Sequence, residues 1–277
     1  MSDIALLHEY LDGKSNYRRT RDFLNRTTAD GMIWAGEIAI EQAHKTRNFE
    51  FLGEAKNSFE RAIGRMAIST VSYDKMAKVK IHQAHLPIHG LMVLHDELPP
   101  TELAKNVYQK TISIANLLLQ KQCELRALNP DYIDSNIKGT LGELAVLSLL
   151  ERIATKDIGS ETWFPLIAHV GQDRKNRPGS TVNHGWDISV FSDINGIDEV
   201  ENKLQVKCAH HMDIDRINED GITLIEIDPD LRLLNTEGNI ANIIIRECYQ
   251  EIFRPNSSLI ISKNLDDRSE LLLDKLG

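Results

Sequence analysis

The hydrophobic period of this 277-residue chain changes at Asn129-Pro130-Asp131, and that change restricts the folds open to it. Before it, apolar residues recur at steps of three and four. Ile33, Trp34, Ile38, Ile40 and Ala43 form one such segment, and Phe51, Leu52, Ala55, Phe59, Ala62 and Ile63 form the next. An α-helix gathers residues at this spacing on one face. Segments near 72–95 and 101–127 continue the pattern, with Pro99-Pro100 between them and Thr101 placed to cap the later helix. After the break, 137–154 is apolar nearly all round, with Ile137, Leu141, Leu144, Val146, Leu147, Leu149, Leu150 and Ile153, the mark of a buried helix. Strand-like runs follow at 162–170, 185–191, 202–208 and 221–227, the last an additional strand or hairpin, with Gly, Asn and Asp between them. A helix over 238–253 and a strand over 257–262 complete the order. The expectation is a mixed α+β protein: a helical domain over 1–131, then an α/β domain over 132–277.

The first half is best described as a helical bundle or a short helical array. The Gly53, Ala55, Phe59, Ala62 pattern loosely resembles a tetratricopeptide-type repeat, but no clean 34-residue period recurs. Such a domain suits a protein partner, self-association or substrate positioning.

Charge is unevenly placed. Residues 1–135 hold 17 Lys+Arg and 17 Asp+Glu, whereas 136–277 hold 15 and 24, so the second half carries the whole net charge of −9. That balance counts against broad phosphate-backbone binding but leaves room for a local basic cleft. The N-terminus lacks the features of a secretory signal. No apolar run approaches ~18 residues, so no membrane span is expected. Cys123, Cys208 and Cys248 are odd in number and widely spaced, which argues against a disulfide framework or structural zinc site and fits a reducing, cytoplasmic setting.

Four polar residues in the second half stand out. Strand alternation puts Asp187, Ser189 and Phe191 on one face of 185–191, opposite Trp186, Ile188 and Val190. It puts Gln205 and Lys207 together on 202–208, opposite Leu204, Val206 and Cys208. If the strands pair in matching register, Asp187, Gln205 and Lys207 meet. Glu143 shares a helix stripe with Val146, Leu147 and Leu150, and a carboxylate on an apolar face needs a metal, a cation or a proton. Taken singly, each has an ordinary reading: a helix-end acid, an edge-strand acid, or the solvent face of an amphipathic strand.

In this order and on these elements, Gly142-Glu143-Leu144, Gly185-Trp186-Asp187 and Gln205-Val206-Lys207 resemble the PD-(D/E)XK nuclease superfamily, the restriction-endonuclease-like fold. The resemblance spans roughly 137–263 and does not extend to the first half. It implies an αβββαβ core and divalent-metal-dependent phosphodiester hydrolysis, by an endonuclease acting on DNA rather than RNA, in defence or DNA processing. Asp187, Glu143 and Gln205 would hold Mg²⁺ or Mn²⁺, with the Val206 carbonyl as a further ligand. Lys207 would orient water or neutralise developing charge. Two departures stand out: no proline directly precedes Asp187, and position 205 is an amide where an acid is usual. The other class of reading is a non-catalytic module, binding nucleic acid or protein, that keeps the fold without the chemistry.

Other features are weaker. Arg174, Lys175 and Arg177 make a basic patch before the Asp187 strand that suits a phosphate backbone or simple solvation. Tyr17, Arg18, Arg19, Arg21 and Arg26 cluster near the N-terminus, where nucleic-acid contact and ion pairing with Asp22 and Asp30 explain them equally. His82, His85 and His89 would align on a continuous helix, but Pro87 is expected to interrupt it, which favours packing or exposure over a metal site. His184, His210 and His211 flank the constellation in sequence. No glycine-rich phosphate loop, dinucleotide fingerprint or nucleophile elbow is present.

Overall fold

The computed structural model of the chain describes residues 2–68, 72–95, 101–128, 134–154, 164–169, 186–191, 202–207 and 222–226. The described residues form a mixed α+β protein, mostly helical, with one small sheet. They fall into two compact units. The expected helix over 238–253, the strand over 257–262 and the polar loop 171–184 lie outside the described residues.

The first unit holds α1 (Asp3–Leu11), α2 (Tyr17–Leu24), α3 (Ala29–Thr46), α4 (Glu50–Ile68) and α5 (Tyr73–His95). Short polar side chains start the first three. Ser2 Oγ accepts from the Ala5 N–H at 3.3 Å, Asn16 Oδ1 from Arg19 at 2.9 Å, and Thr28 Oγ1 from Gly31 at 2.9 Å. Each satisfies a backbone donor that the helix leaves open. Helix α3 ends at Arg47, whose φ of 54° puts a non-glycine residue in the left-handed region. Its guanidinium donates to the Met92 carbonyl at 3.3 Å, and this helps hold that conformation.

Phe59 of α4 lies at the centre of this unit and is fully buried. On one side its ring closes on Gly36 of α3, where an added Cβ would meet ring carbons well inside van der Waals contact. On the other side it stacks on His82 of α5, with centroids 5.4 Å apart and planes 13° from parallel. Gly36 is therefore required by close approach, and it lets α3 and α4 pack along their length.

Helix α5 runs unbroken through Pro87, against the expectation that the proline would interrupt it. Pro87 lies on the exposed face, where water can satisfy the carbonyl left without its usual donor. Continuity aligns His82, His85 and His89, all buried. His44 of α3 and His169 join them. His44 Nε2 and His89 Nδ1 share a hydrogen bond at 2.8 Å, His82 Nε2 lies 3.3 Å from Glu37 Oε1, and the His89 and His169 rings are 6.4 Å apart. Burial, then the neighbouring imidazoles, hold His89 and His169 well below the ordinary histidine range.

The N-terminal arginine cluster is partly explained by ion pairs. Arg21 contacts Asp22 at 2.7 Å and Glu54 at 2.5 Å, while Asp30 pairs with Lys75 at 2.7 Å.

The second unit contains α6 (Thr101–Leu128), α7 (Ser135–Ala154) and strands β1 (Phe164–Ile167), β2 (Ile188–Phe191), β3 (Asn202–Lys207) and β4 (Ile222–Glu226). Asp134 caps α7, its Oδ1 accepting from Asn136 and Ile137 at 2.9 and 3.1 Å. Thr140, Leu141, Leu144, Val146, Leu147, Ser148, Leu150 and Glu151 are buried around the whole circumference of α7. The helix packs on α6 and on the sheet through β1 and β3. Thr111 of α6 donates to the buried Glu151 carboxylate at 3.1 Å. Ala168 and His169 group with the first unit, whereas α6 groups with α7 and the strands in the second. The physical reason is that α6 supplies the cover that α7 needs.

Sheet order is β1-β2-β3-β4. The first three strands form an antiparallel meander, and β4 lies parallel to β3. Parallel neighbours need a crossover, so β3 and β4 are not a hairpin. Among the described residues no helix is long and apolar enough to cross a membrane.

Two predictions follow from the first unit. Gly36→Ala should destabilise the fold by about 1–3 kcal/mol, despite alanine's better helix propensity. Pairing it with Phe59→Leu should recover part of the loss in a chemical-denaturation double-mutant cycle, and strictly additive effects would refute the contact. The second concerns acid. Because folding depresses the His89 and His169 pKa values, the unfolded chain takes up protons first as pH falls below ~6.5. Stability present above that pH should therefore decline toward acid, by up to about 1.4 kcal/mol per pH unit for each group. His89→Gln should make that dependence shallower between pH ~6.5 and ~5.

Candidate active site

β2 begins at Ile188, so Trp186 and Asp187 stand just ahead of it, outside its alternation. The registered pairs are Ile188↔Leu204, Ser189↔Lys203 and Val190↔Asn202. Asp187 donates its own N–H to the Leu204 carbonyl at 2.8 Å, one residue off that register. Two residues of one strand end thus oppose Leu204, a bulge-type arrangement that re-aims the side chain. The Asp187 Oδ2 then accepts the Val206 N–H at 2.8 Å. Asp187 consequently brackets Gln205, with its backbone bonded to the residue before and its carboxylate to the residue after.

Gln205 is buried, at 2% exposure, and Asp187 is half-buried. Lys207 ends β3, two positions beyond Gln205, and pairs in register with Glu226 of β4. Glu143 is half-buried on α7, the helix that packs against β3. The structure therefore joins Asp187 to the Gln205 segment and puts Glu143 on the helix covering that strand. Arg174, Lys175 and Arg177, with His184, His210 and His211, lie outside the described residues.

Trp186 departs from the expected alternation, which placed it opposite Ser189. Its indole N–H donates to Ser189 Oγ at 2.8 Å, because a residue ahead of the strand is free to turn its ring to that face. The Lys203 ammonium sits over the same ring, 4.5 Å from its centroid. A cation–π contact of this kind contributes roughly 0.5–1 kcal/mol when partly exposed. The sequence put Ser189 on the Asp187 face without giving it a role, and it did not single out Lys203. The signal for Lys203 was its place two residues before Gln205 on an alternating strand.

Among the described residues, no group of three or more His, Cys, Asp or Glu side chains is placed to hold a metal ion. The candidate set instead combines two carboxylates, Glu143 and Asp187, with the Gln205 amide oxygen. These are hard oxygen donors of the type that Mg²⁺ and Mn²⁺ prefer, so the set fits such an ion in chemistry. Family models, curated proteins and solved structures yield no match to this chain.

The Asp187 geometry separates a structural from a chemical role. Asp187→Ala strands the Val206 N–H and should destabilise the chain by about 1–3 kcal/mol in urea unfolding. Asp187→Asn keeps an acceptor oxygen for that N–H and should cost less than half as much. Equal losses for the two would show that the bond is not what Asp187 contributes.

Proposed function

We propose that the second unit is a PD-(D/E)XK-type nuclease domain that hydrolyses phosphodiesters, with DNA as substrate. The observation that carries this reading is the Asp187 carboxylate, held by the Val206 N–H beside Gln205 on β3. The element order supports it too, because α7 followed by the β1-β2-β3 meander agrees with the αβββ start of that family's core. Asp187, Glu143 and Gln205 would hold Mg²⁺ or Mn²⁺, and the bound ion would supply Lewis acidity and an activated water. The bulge orients Asp187, and its backbone bonds limit the carboxylate's freedom before substrate arrives. Lys207 is assigned to neutralise charge that develops on the phosphate. Arg174, Lys175 and Arg177 are assigned to the substrate backbone, and the helical unit to a partner or self-association.

A second reading has its own observation. Gln205 is both buried and an amide, so the site has one negative charge fewer than a full acidic triad. A non-catalytic module that binds nucleic acid or protein would retain Asp187 for the strand bond alone.

The test is cleavage of supercoiled plasmid and labelled DNA duplex with Mg²⁺, Mn²⁺ or EDTA. The nuclease reading expects metal-dependent cutting, reduced at least ~100-fold by Asp187→Asn and by Lys207→Ala, about 2.7 kcal/mol of transition-state stabilisation. Cutting that survives Asp187→Asn in a folded protein would overturn the assignment. Absence of cutting, with binding retained in both variants, would favour the module.

A further inference from the structure

We infer that Lys203 is a phosphate-positioning residue of the proposed site, held in place by Trp186 and Ser189; this rests on the nuclease reading. Three observations converge on it. First, alternation along β3 puts Lys203 on the same strand face as Gln205, the residue that Asp187 brackets. Second, the lysine is ordered by contact: its ammonium lies 4.5 Å from the centroid of the Trp186 ring, and that ring is pinned by its N–H bond to Ser189 Oγ at 2.8 Å. Ser189 is itself the registered partner of Lys203, so the indole, the hydroxyl and the lysine form one unit across two strands. Third, the contact leaves the charge available. An aromatic face attracts a cation without neutralising it, unlike a carboxylate partner. Among the described residues the Lys203 ammonium is held by that ring, and Lys203 as a residue is half-buried.

The surrounding charge makes this placement informative. The half of the chain from 136 to 277 has 24 acids against 15 bases, so cations in this half are the minority charge. A phosphodiester approaching Asp187 needs a cation close by to offset carboxylate repulsion, and strand spacing sets Lys203 roughly 7 Å from the Gln205 position. The ligand class is the phosphate backbone of a nucleic acid, read without base specificity. Trp186 acts through Lys203, as its positioning partner.

The experiment measures binding of a short fluorescein-labelled DNA duplex, and of its single strand, across a salt series without metal. Lys203→Met keeps the stem packed on Trp186 and removes the charge, and Lys203→Arg restores the charge. The slope of log affinity against log salt should fall by about 1 for the duplex in Lys203→Met and return with Lys203→Arg. Trp186→Phe, which lacks the N–H bond to Ser189, should weaken binding less than Lys203→Met does. A purely structural cation–π contact would lower the melting temperature and leave the slope unchanged, and that result overturns the proposal. If Lys203→Met fails to fold, Lys203→Gln supplies the same reading. Cleavage of the same duplex with Mg²⁺ or Mn²⁺ separates the two claims. Binding with an altered slope but no cleavage overturns the catalytic reading and upholds Lys203. Cleavage with an unaltered slope does the reverse, and no binding to either probe overturns both.

Discussion

The second unit depends on a helix that is apolar nearly all round. Buried residues run around the whole circumference of α7, and Leu144, Leu147 and Leu150 are each almost fully enclosed. Exposing one such side chain costs roughly 1.5–3 kcal/mol, so no single neighbour suffices. The sheet covers α7 through β1 and β3, and α6 covers it elsewhere. This demand is met in part by α6, which groups with α7 in the second unit. It also leaves Glu143 half-buried on that helix, and it makes the Thr111 hydroxyl the partner of the buried Glu151.

Enclosure makes polar groups consequential. A buried polar atom without a partner costs several kcal/mol, so each one reports on how the chain is arranged around it. Asp187 shows this at the end of β2. The strand pairing stops at Ile188, and the next donor on β3, the Val206 N–H, is satisfied by a side chain instead of a backbone carbonyl. The carboxylate is oriented as a by-product of completing the ladder. Trp186, also ahead of the strand, turns its indole to Ser189 and thereby offers Lys203 a ring to rest on.

The first unit applies the same rule with imidazoles. Gly36 and Phe59 bring α3 and α4 together, and α5 then presents three histidines to the interior. Hydrogen bonding between His44 and His89, and the Glu37 carboxylate beside His82, make this polar stripe tolerable inside a core. Burial favours the neutral forms of His89 and His169, which ties the stability of this unit to pH.

Element type was readable from local pattern. Three- and four-residue steps marked the helices, strand-like runs between Gly, Asn and Asp marked the four strands, and the all-round apolarity of 137–154 foretold a buried helix. Gln205 was legible as a neighbour of Asp187 on the condition that the two strands pair in matching register. Beyond that, sequence reading fell short wherever an outcome depended on a partner distant in the chain. The continuity of α5 through Pro87 turned on which face meets water. The one-residue offset at Asp187 turned on where β2 stops pairing. His44 and His169 lie far in sequence from the α5 stripe, so no spacing rule could group them. Periodicity is a property of successive residues, and the sequence determines it alone. Register, burial and the partner of each polar atom are properties of segments that meet only after folding, and those the tertiary structure decided.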